Sequence, residues 1–192
     1  AIGDQITDIY AHDDIVYCLP FENRGREIGV TLDHPHGQIY SLSVLPSVIK
    51  RQADAMAQSN PLATLYDDID DALILDKADK AISYVPRWAR YPFETWDMPK
   101  CMVDGPHDMT PDEISDMAVM ITEAAMRLDA IWDSPMPYTL AWHVAPKGYE
   151  GQFHFHLTFQ PLKRARNKQK YLASVEQITG FFLVDLPPEK DA

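Results

Sequence analysis

Cysteine, long apolar runs and basic charge are all scarce in this sequence, and each shortage excludes something. Only Cys18 and Cys101 are present among 192 residues, far apart and without a C-x-x-C pair. A disulfide framework is therefore not expected, and neither thiol alone proposes a metal site. No apolar stretch reaches the ~18 residues that a membrane span needs. No basic segment followed by an apolar one opens the chain. The expectation is a cytoplasmic protein that does not engage a membrane. Lys and Arg number 17 against 29 Asp and Glu, giving a net charge of -12. That field is the wrong sign for a nucleic-acid partner, because phosphate backbones are held by clustered cations. A small phosphorylated ligand needs only a few local donors and stays open.

Composition otherwise fits a soluble globular chain with a sizeable core, at 46% hydrophobic and 24% charged residues. The length suits one domain, or one domain and part of another. The chain begins at Ala1 and its chemically suggestive residues follow soon after, which reads as a truncated, processed or split protein.

Asp14 to Leu19 is apolar and strand-like, and Pro20 is expected to close it. Phe21 to Gly25 reads as a turn and Gly29 to Leu32 as an extended piece. Helical patterns cover Ser47 to Met56 and about Leu62 to Leu75, separated by Asn60-Pro61. Ala81 to Val85 reads as a strand. The clearest helix runs from Pro111 to about Trp132, with Thr110 as N-cap, proline at the first position and Glu113 completing a capping box. Ile114, Met117, Ala118, Ile121, Ala125, Leu128 and Trp132 share one face and are expected in the core.

Two alternating segments follow. Tyr138, Leu140, Trp142 and Val144 alternate with Thr139, Ala141 and His143. Phe153, Phe155, Leu157 and Phe159 alternate with His154, His156, Thr158 and Gln160. A period of two puts the apolar groups on one face and both histidines on the other. Lys163 to Lys170 is basic and reads as a solvated turn, and Tyr171 to Thr179 as a last helix. Together these elements predict an α+β fold with an antiparallel sheet and packed helices.

The strongest chemical signal is His34-Pro35-His36-Gly37-Gln38. In an extended segment His34, His36 and Gln38 point the same way, while the proline and glycine fix the backbone and admit a ligand. Imidazole is a competent nucleophile toward phosphorus near neutral pH. Gln38, Asn23 and Thr31 are candidate donors to phosphate oxygens. A plainer reading is a loop with two surface histidines. A second cluster is His143, His154 and His156, which can be brought together by two neighbouring strands. Three imidazoles could hold zinc or iron; the alternative is histidines hydrogen-bonded on a polar sheet face, and both readings stand.

The neighbours of the first histidines read FENRG (Phe21 to Gly25) and GVTLDHPHGQIY (Gly29 to Tyr40). Later come YVPRWARYPFETWDMPK (Tyr84 to Lys100), WHVAP (Trp142 to Pro146), FHFHLTFQPL (Phe153 to Leu162) and KYLASVE (Lys170 to Glu176). In this order they resemble the galactose-1-phosphate uridylyltransferases of the histidine-triad superfamily. Ala1 to His12 and Ser47 to Asp79 match weakly. The resemblance implies a histidine-triad-like sheet in which residues 1–78 end a first repeat and residues 79–192 form a complete second one. It implies that His36 is the catalytic nucleophile and that Gln38 supports the transferring phosphoryl group. It also implies that Asn23, Thr31, Gln38, Lys170 and Tyr171 bind substrate, the last two typically across a dimer interface.

His34 resembles a zinc ligand whose partners lie in an N-terminal half that is not in this sequence, so its site is incomplete here. In some members a trio matching His143, His154 and His156 holds a metal together with a glutamate, near whose expected place Gln52 stands. The substrates so implied are UDP-glucose, UDP-galactose, glucose 1-phosphate and galactose 1-phosphate, with zinc in the complete enzyme and a second zinc or iron at the trio. The expected partner is a second copy or an N-terminal half. The rival functions are another nucleotidyltransferase or phosphorylase of the superfamily, and an inactive half.

Overall fold

Apolar side chains along the strands sort into two clusters, and one antiparallel sheet lies between them. The computed structural model describes residues 1–32, 34–184 and 187–192. Its seven main strands are β1 (Tyr17–Arg24), β2 (Gly37–Leu42), β3 (Ile74–Lys77), β4 (Ala81–Tyr84), β5 (Thr95–Pro99), β6 (Tyr138–His143) and β7 (His156–Pro161). They run in the order β2-β1-β6-β7-β5-β4-β3, each antiparallel to its neighbours. The helices are α1 (Ile2–Tyr10), α2 (Ser47–Gln58), α3 (Leu65–Asp68), α4 (Pro111–Ala130) and α5 (Ser174–Thr179). A hairpin, β8 (Lys163–Ala165) with β9 (Lys168–Gln169), stands apart from the main sheet. The expected α+β class is the observed one.

One cluster joins Ile6 of α1 and Met117, Met120, Ala124 and Leu128 of α4 to Leu140, Leu157 and Phe159. The other joins Ala53 and Met56 of α2 to Ile82, Tyr84, Trp96 and Met98. Each fully buried Leu or Phe contributes about 1.5–3 kcal/mol over leaving it exposed. The Thr110–Glu113 capping box forms as expected and starts α4. Of the face expected from sequence, Met117 and Leu128 are buried and Ile121, Ala125 and Trp132 pack against the same core, whereas Ile114 and Ala118 are exposed and Met120 and Ala124 are buried instead.

Several boundaries differ from the expectation. Pro20 lies inside β1, and Phe21 to Arg24 continue that strand. The missing proline N–H is tolerated because β6 pairs with β1 only from Phe21 to Arg24. Gly29 to Leu32 is loop. The helix expected over about Leu62 to Leu75 is the single turn α3, a 3-10 turn and β3. Asp70 explains part of this, since its side chain accepts the Ala72 N–H at 3.0 Å and offers the backbone a partner outside a helix. Residues 153–155 precede β7, and Phe153 joins the second cluster while Phe155 joins the first. Residues 78 and 79, where one repeat is expected to end and the next to begin, lie in the turn joining β3 to β4.

Candidate active site around His36

The connection from β1 to β2 carries the proposed chemistry. Gly25 leaves β1 at φ +105°, and a Cβ there would come within 2.6 Å of Pro137. Glycine thus lets the loop cross the Pro135–Tyr138 segment closely. The chain re-enters the sheet at Gly37, which presents His36 just before β2 begins. The Nδ1 of His36 lies 2.8 Å from the His34 carbonyl oxygen. A carbonyl can only accept, so Nδ1 carries the proton in that bond and Nε2 keeps its lone pair.

His36 lines a cavity of about 600 Å³ together with Asn23, Arg26, Glu27, His34 and Tyr138. A smaller one of about 200 Å³ is shared by Asn23, Thr31, His36 and Gln38. Four expected site residues are therefore brought together. Asn23 and Gln38 reach one side because β1 and β2 pair with Phe21 opposite Gln38, and Asn23 follows Phe21 by two residues.

Sequence reading missed what holds the cavity wall. Arg24 points to the opposite sheet face, where its two terminal nitrogens donate to the Asp129 carboxylate at 3.0 and 2.9 Å. Asp129 also accepts the Met136 N–H at 2.8 Å, and the guanidinium lies 5.4 Å from the centre of the Tyr138 ring. A bidentate pair fixes orientation as well as distance. The signal was the alternation itself, since Asn23 and Arg24 are adjacent and must face opposite ways.

Lys170 and Tyr171 are not brought to His36. Lys170 donates to Glu176 and to the Leu183 carbonyl, both at 2.6 Å. Tyr171 is 77% exposed beside the β8–β9 hairpin. Glu176, buried by its neighbours, accepts Lys170 and the backbone N–H groups of Leu183 and Ala173, which hold its carboxyl down to about 2.

In the second histidine cluster His154 and His156 are buried and His143 is partly buried. His143 and His156 are register partners whose rings stack at 4.5 Å and 5°, with Trp96 stacked on the other side of His156 at 4.6 Å. His143 Nε2 meets the Thr158 hydroxyl at 3.1 Å, and His156 Nδ1 meets the His154 carbonyl at 2.8 Å. His154 lies before β7 and directs Nε2 to the Pro99 carbonyl at 2.9 Å. Burial keeps all three neutral, pushing His156 down to about 3 and the others below the usual imidazole range.

As a fit for metal, these residues give a divided answer. His143 Nδ1, His154 Nδ1, His156 Nε2 and Gln52 Oε1 are all buried without a partner, so donors are available. They do not converge: among the described residues no group of three or more His, Cys, Asp or Glu is placed to hold a metal. The expectation that His154 and His156 share one strand face is corrected, because residue 154 precedes the strand and its ring turns to Pro99. His34 is exposed, Cys18 is buried in β1 and Cys101 is exposed, and among the described residues no metal-holding group forms around His34.

Comparison with known proteins places this geometry in a family. The profile of the galactose-1-phosphate uridyl transferase C-terminal domain matches residues 64–179, and that of the N-terminal domain matches residues 3–46. The chain belongs to the galactose-1-phosphate uridyl transferase family. A galactose-1-phosphate uridylyltransferase of Thermotoga maritima is 32% identical over 98% of this chain and 62% of its own length. A solved uridylyltransferase mutant superposes with a TM-score of 0.92 at 25% identity, covering 99% of this chain and 65% of that one. An ADP-glucose phosphorylase from Arabidopsis thaliana shares the fold, with a TM-score of 0.83 at 22% identity over all of this chain and 61% of that one. The chain spans less than two thirds of the length of these relatives. No helix among the described residues is long and apolar enough to cross a membrane.

Proposed function

We propose that this chain carries the nucleophile of a galactose-1-phosphate uridylyltransferase and moves a uridylyl group from UDP-glucose to galactose 1-phosphate. The observation that carries the reading is the His36 Nδ1–H bonded to the His34 carbonyl, which leaves Nε2 free at the wall of a cavity shared with Asn23, Thr31 and Gln38.

In the first half, the Nε2 lone pair attacks the phosphorus bearing uridine. The bond to the bridging oxygen breaks, and glucose 1-phosphate leaves with that electron pair. The ring is then a uridylyl-imidazolium, still holding its Nδ1 proton against the His34 carbonyl, which stabilises the new positive charge. In the second half, a phosphate oxygen of galactose 1-phosphate attacks the same phosphorus and the N–P bond returns its pair to Nε2, giving UDP-galactose. Gln38, Asn23 and Thr31 supply neutral donors to the phosphate oxygens, and Lys170 and Tyr171 act on a neighbouring copy's sugar nucleotide.

The complete enzyme is proposed to be cytoplasmic and to work as a homodimer or with an N-terminal half. Support for the latter is the outer edge of β2, where Tyr40 is 57% and nearby Val44 70% exposed. Zinc at His34 would need ligands beyond those the described residues bring to it. A zinc or iron at His143, His154 and His156 is supported by their unpartnered nitrogens and would require the His154 ring to leave Pro99.

The test is labelling with UDP-glucose carrying a labelled uridylyl group, using the chain with an N-terminal half from the family. Label should appear on the peptide containing His36, and His36→Ala should lower its formation by on the order of 10³-fold or more. Equal labelling of the variant refutes the assignment. ADP-glucose labelling better than UDP-glucose would favour the phosphorylase-like rival.

A further inference from the structure

We propose that the β8–β9 hairpin is an anion site for the phosphate group of a small phosphoester, entered beside the His36 cavity but not part of it. The proposal goes beyond the transferase reading: Lys163, Arg166 and Lys168 have no part in that transfer, and Tyr171, which has one there, only borders the groove.

The charge distribution is the first ground. Lys163, Arg164, Arg166, Lys168 and Lys170 fall within eight residues of a chain with 17 cations and a net charge of -12. A protein short of positive charge has concentrated it on one ribbon. The ribbon is also a poor place to store it. It has only three and two residues in its strands, paired Lys163 to Gln169 and Ala165 to Lys168. A short two-stranded ribbon is marginal by itself, and crowding like charges on it is unfavourable.

Internal carboxylates offset only part of this. Lys170 is held by Glu176 at 2.6 Å, and Lys163 reaches Glu27 at a looser 3.5 Å. Arg166 and Lys168 are exposed and have no ion pair among the described residues. The hairpin shapes a groove of about 550 Å³, lined by Glu27, Lys163, Arg164, Arg166 and Lys168. Guanidinium and ammonium groups around one concavity suit phosphate oxygens, Arg166 by paired bonds and Lys168 as a point charge. A concavity one hairpin wide fits a small anion better than a nucleic acid, which the overall charge repels.

Glu27 borders both this groove and the His36 cavity. An arriving phosphate competes with it for Lys163, so occupancy of the groove frees a carboxylate at the cavity wall.

The experiment is amide NMR of the full chain titrated with inorganic phosphate, with sodium chloride holding ionic strength constant. Saturable shifts are expected in the amides from Arg164 to Gln169. The Arg166→Glu, Lys168→Glu double variant should weaken the midpoint by at least about tenfold, and His36→Ala should leave it unchanged. Static hairpin amides, equal shifts with chloride alone, or loss of the shifts in His36→Ala would overturn the site. So would a double variant that retains the wild-type midpoint. A failed labelling of His36 leaves this titration untouched, so the two readings fail separately.

Discussion

His34-Pro35-His36 and His154-Phe155-His156 use the same local device with opposite outcomes. In each, the second imidazole sends Nδ1 to the carbonyl two residues back, at 2.8 Å in both cases. Around His36 the side chains are exposed and the ring lines a cavity. Around His156 the ring is sandwiched between Trp96 and His143 and its Nε2 has no partner. One bond fixes the tautomer, and the surroundings decide whether the remaining lone pair is a reagent or a buried liability. The middle residue makes the difference visible. Phe155 donates its N–H to the Val103 carbonyl at 3.0 Å, a bond closed to Pro35, and buries its ring where Pro35 is exposed.

Exchanging the burdens of the two histidines should expose this difference most strongly. His156→Ala should cost about 3 kcal/mol of folding stability, because it empties a closed stack. His36→Ala should change stability by less than about 0.5 kcal/mol, as is usual for an exposed site. Urea denaturation of both variants measures the two values, and similar costs would erase the contrast.

The next effect is on pH dependence. Burial holds His156 at about 3 in the folded protein, against an unfolded value of roughly 6.5. Between those values the unfolded chain binds more protons, so stability is full above about pH 6.5 and is lost as pH falls toward 3. The slope for one such group is about 1.4 kcal/mol per pH unit. His143 and His154 act in the same direction. Asp97 works oppositely. It is buried opposite Ser83, whose hydroxyl opposes only part of the burial that pushes its carboxyl up to about 7. Its folded form binds more protons than the unfolded between about pH 4 and 7, so stability falls as pH rises through that window and the loss is complete above it. Removing His156 should flatten the acid limb of the stability profile, with the Asp97 limb left in place. An unchanged acid limb in His156→Gln would contradict the burial account.

These two regions were unequally legible in the sequence. The proline and glycine around His36 restrict the backbone locally, so the exposure of that loop could be read directly. The Thr110 cap and the start of α4 were readable for the same reason, being settled within four residues. The fate of His154 depends on Pro99, 55 residues away in the chain, and on β7 starting at His156 instead of Phe153. Period-two alternation assigns faces only inside a strand, so it misplaced Phe153 and His154 together. Likewise the aspartates around residue 70 ended a helix that apolar spacing alone extended. Arg24 was passed over because its partner, Asp129, is supplied by a helix 105 residues later.

Which nitrogen of His36 holds the proton is read directly by long-range ¹⁵N–¹H NMR on imidazole-labelled protein. At a pH where the ring is neutral, His36 should show the Nδ1–H tautomer with an unprotonated Nε2. A dominant Nε2–H signal would leave no lone pair at the cavity and would contradict the account.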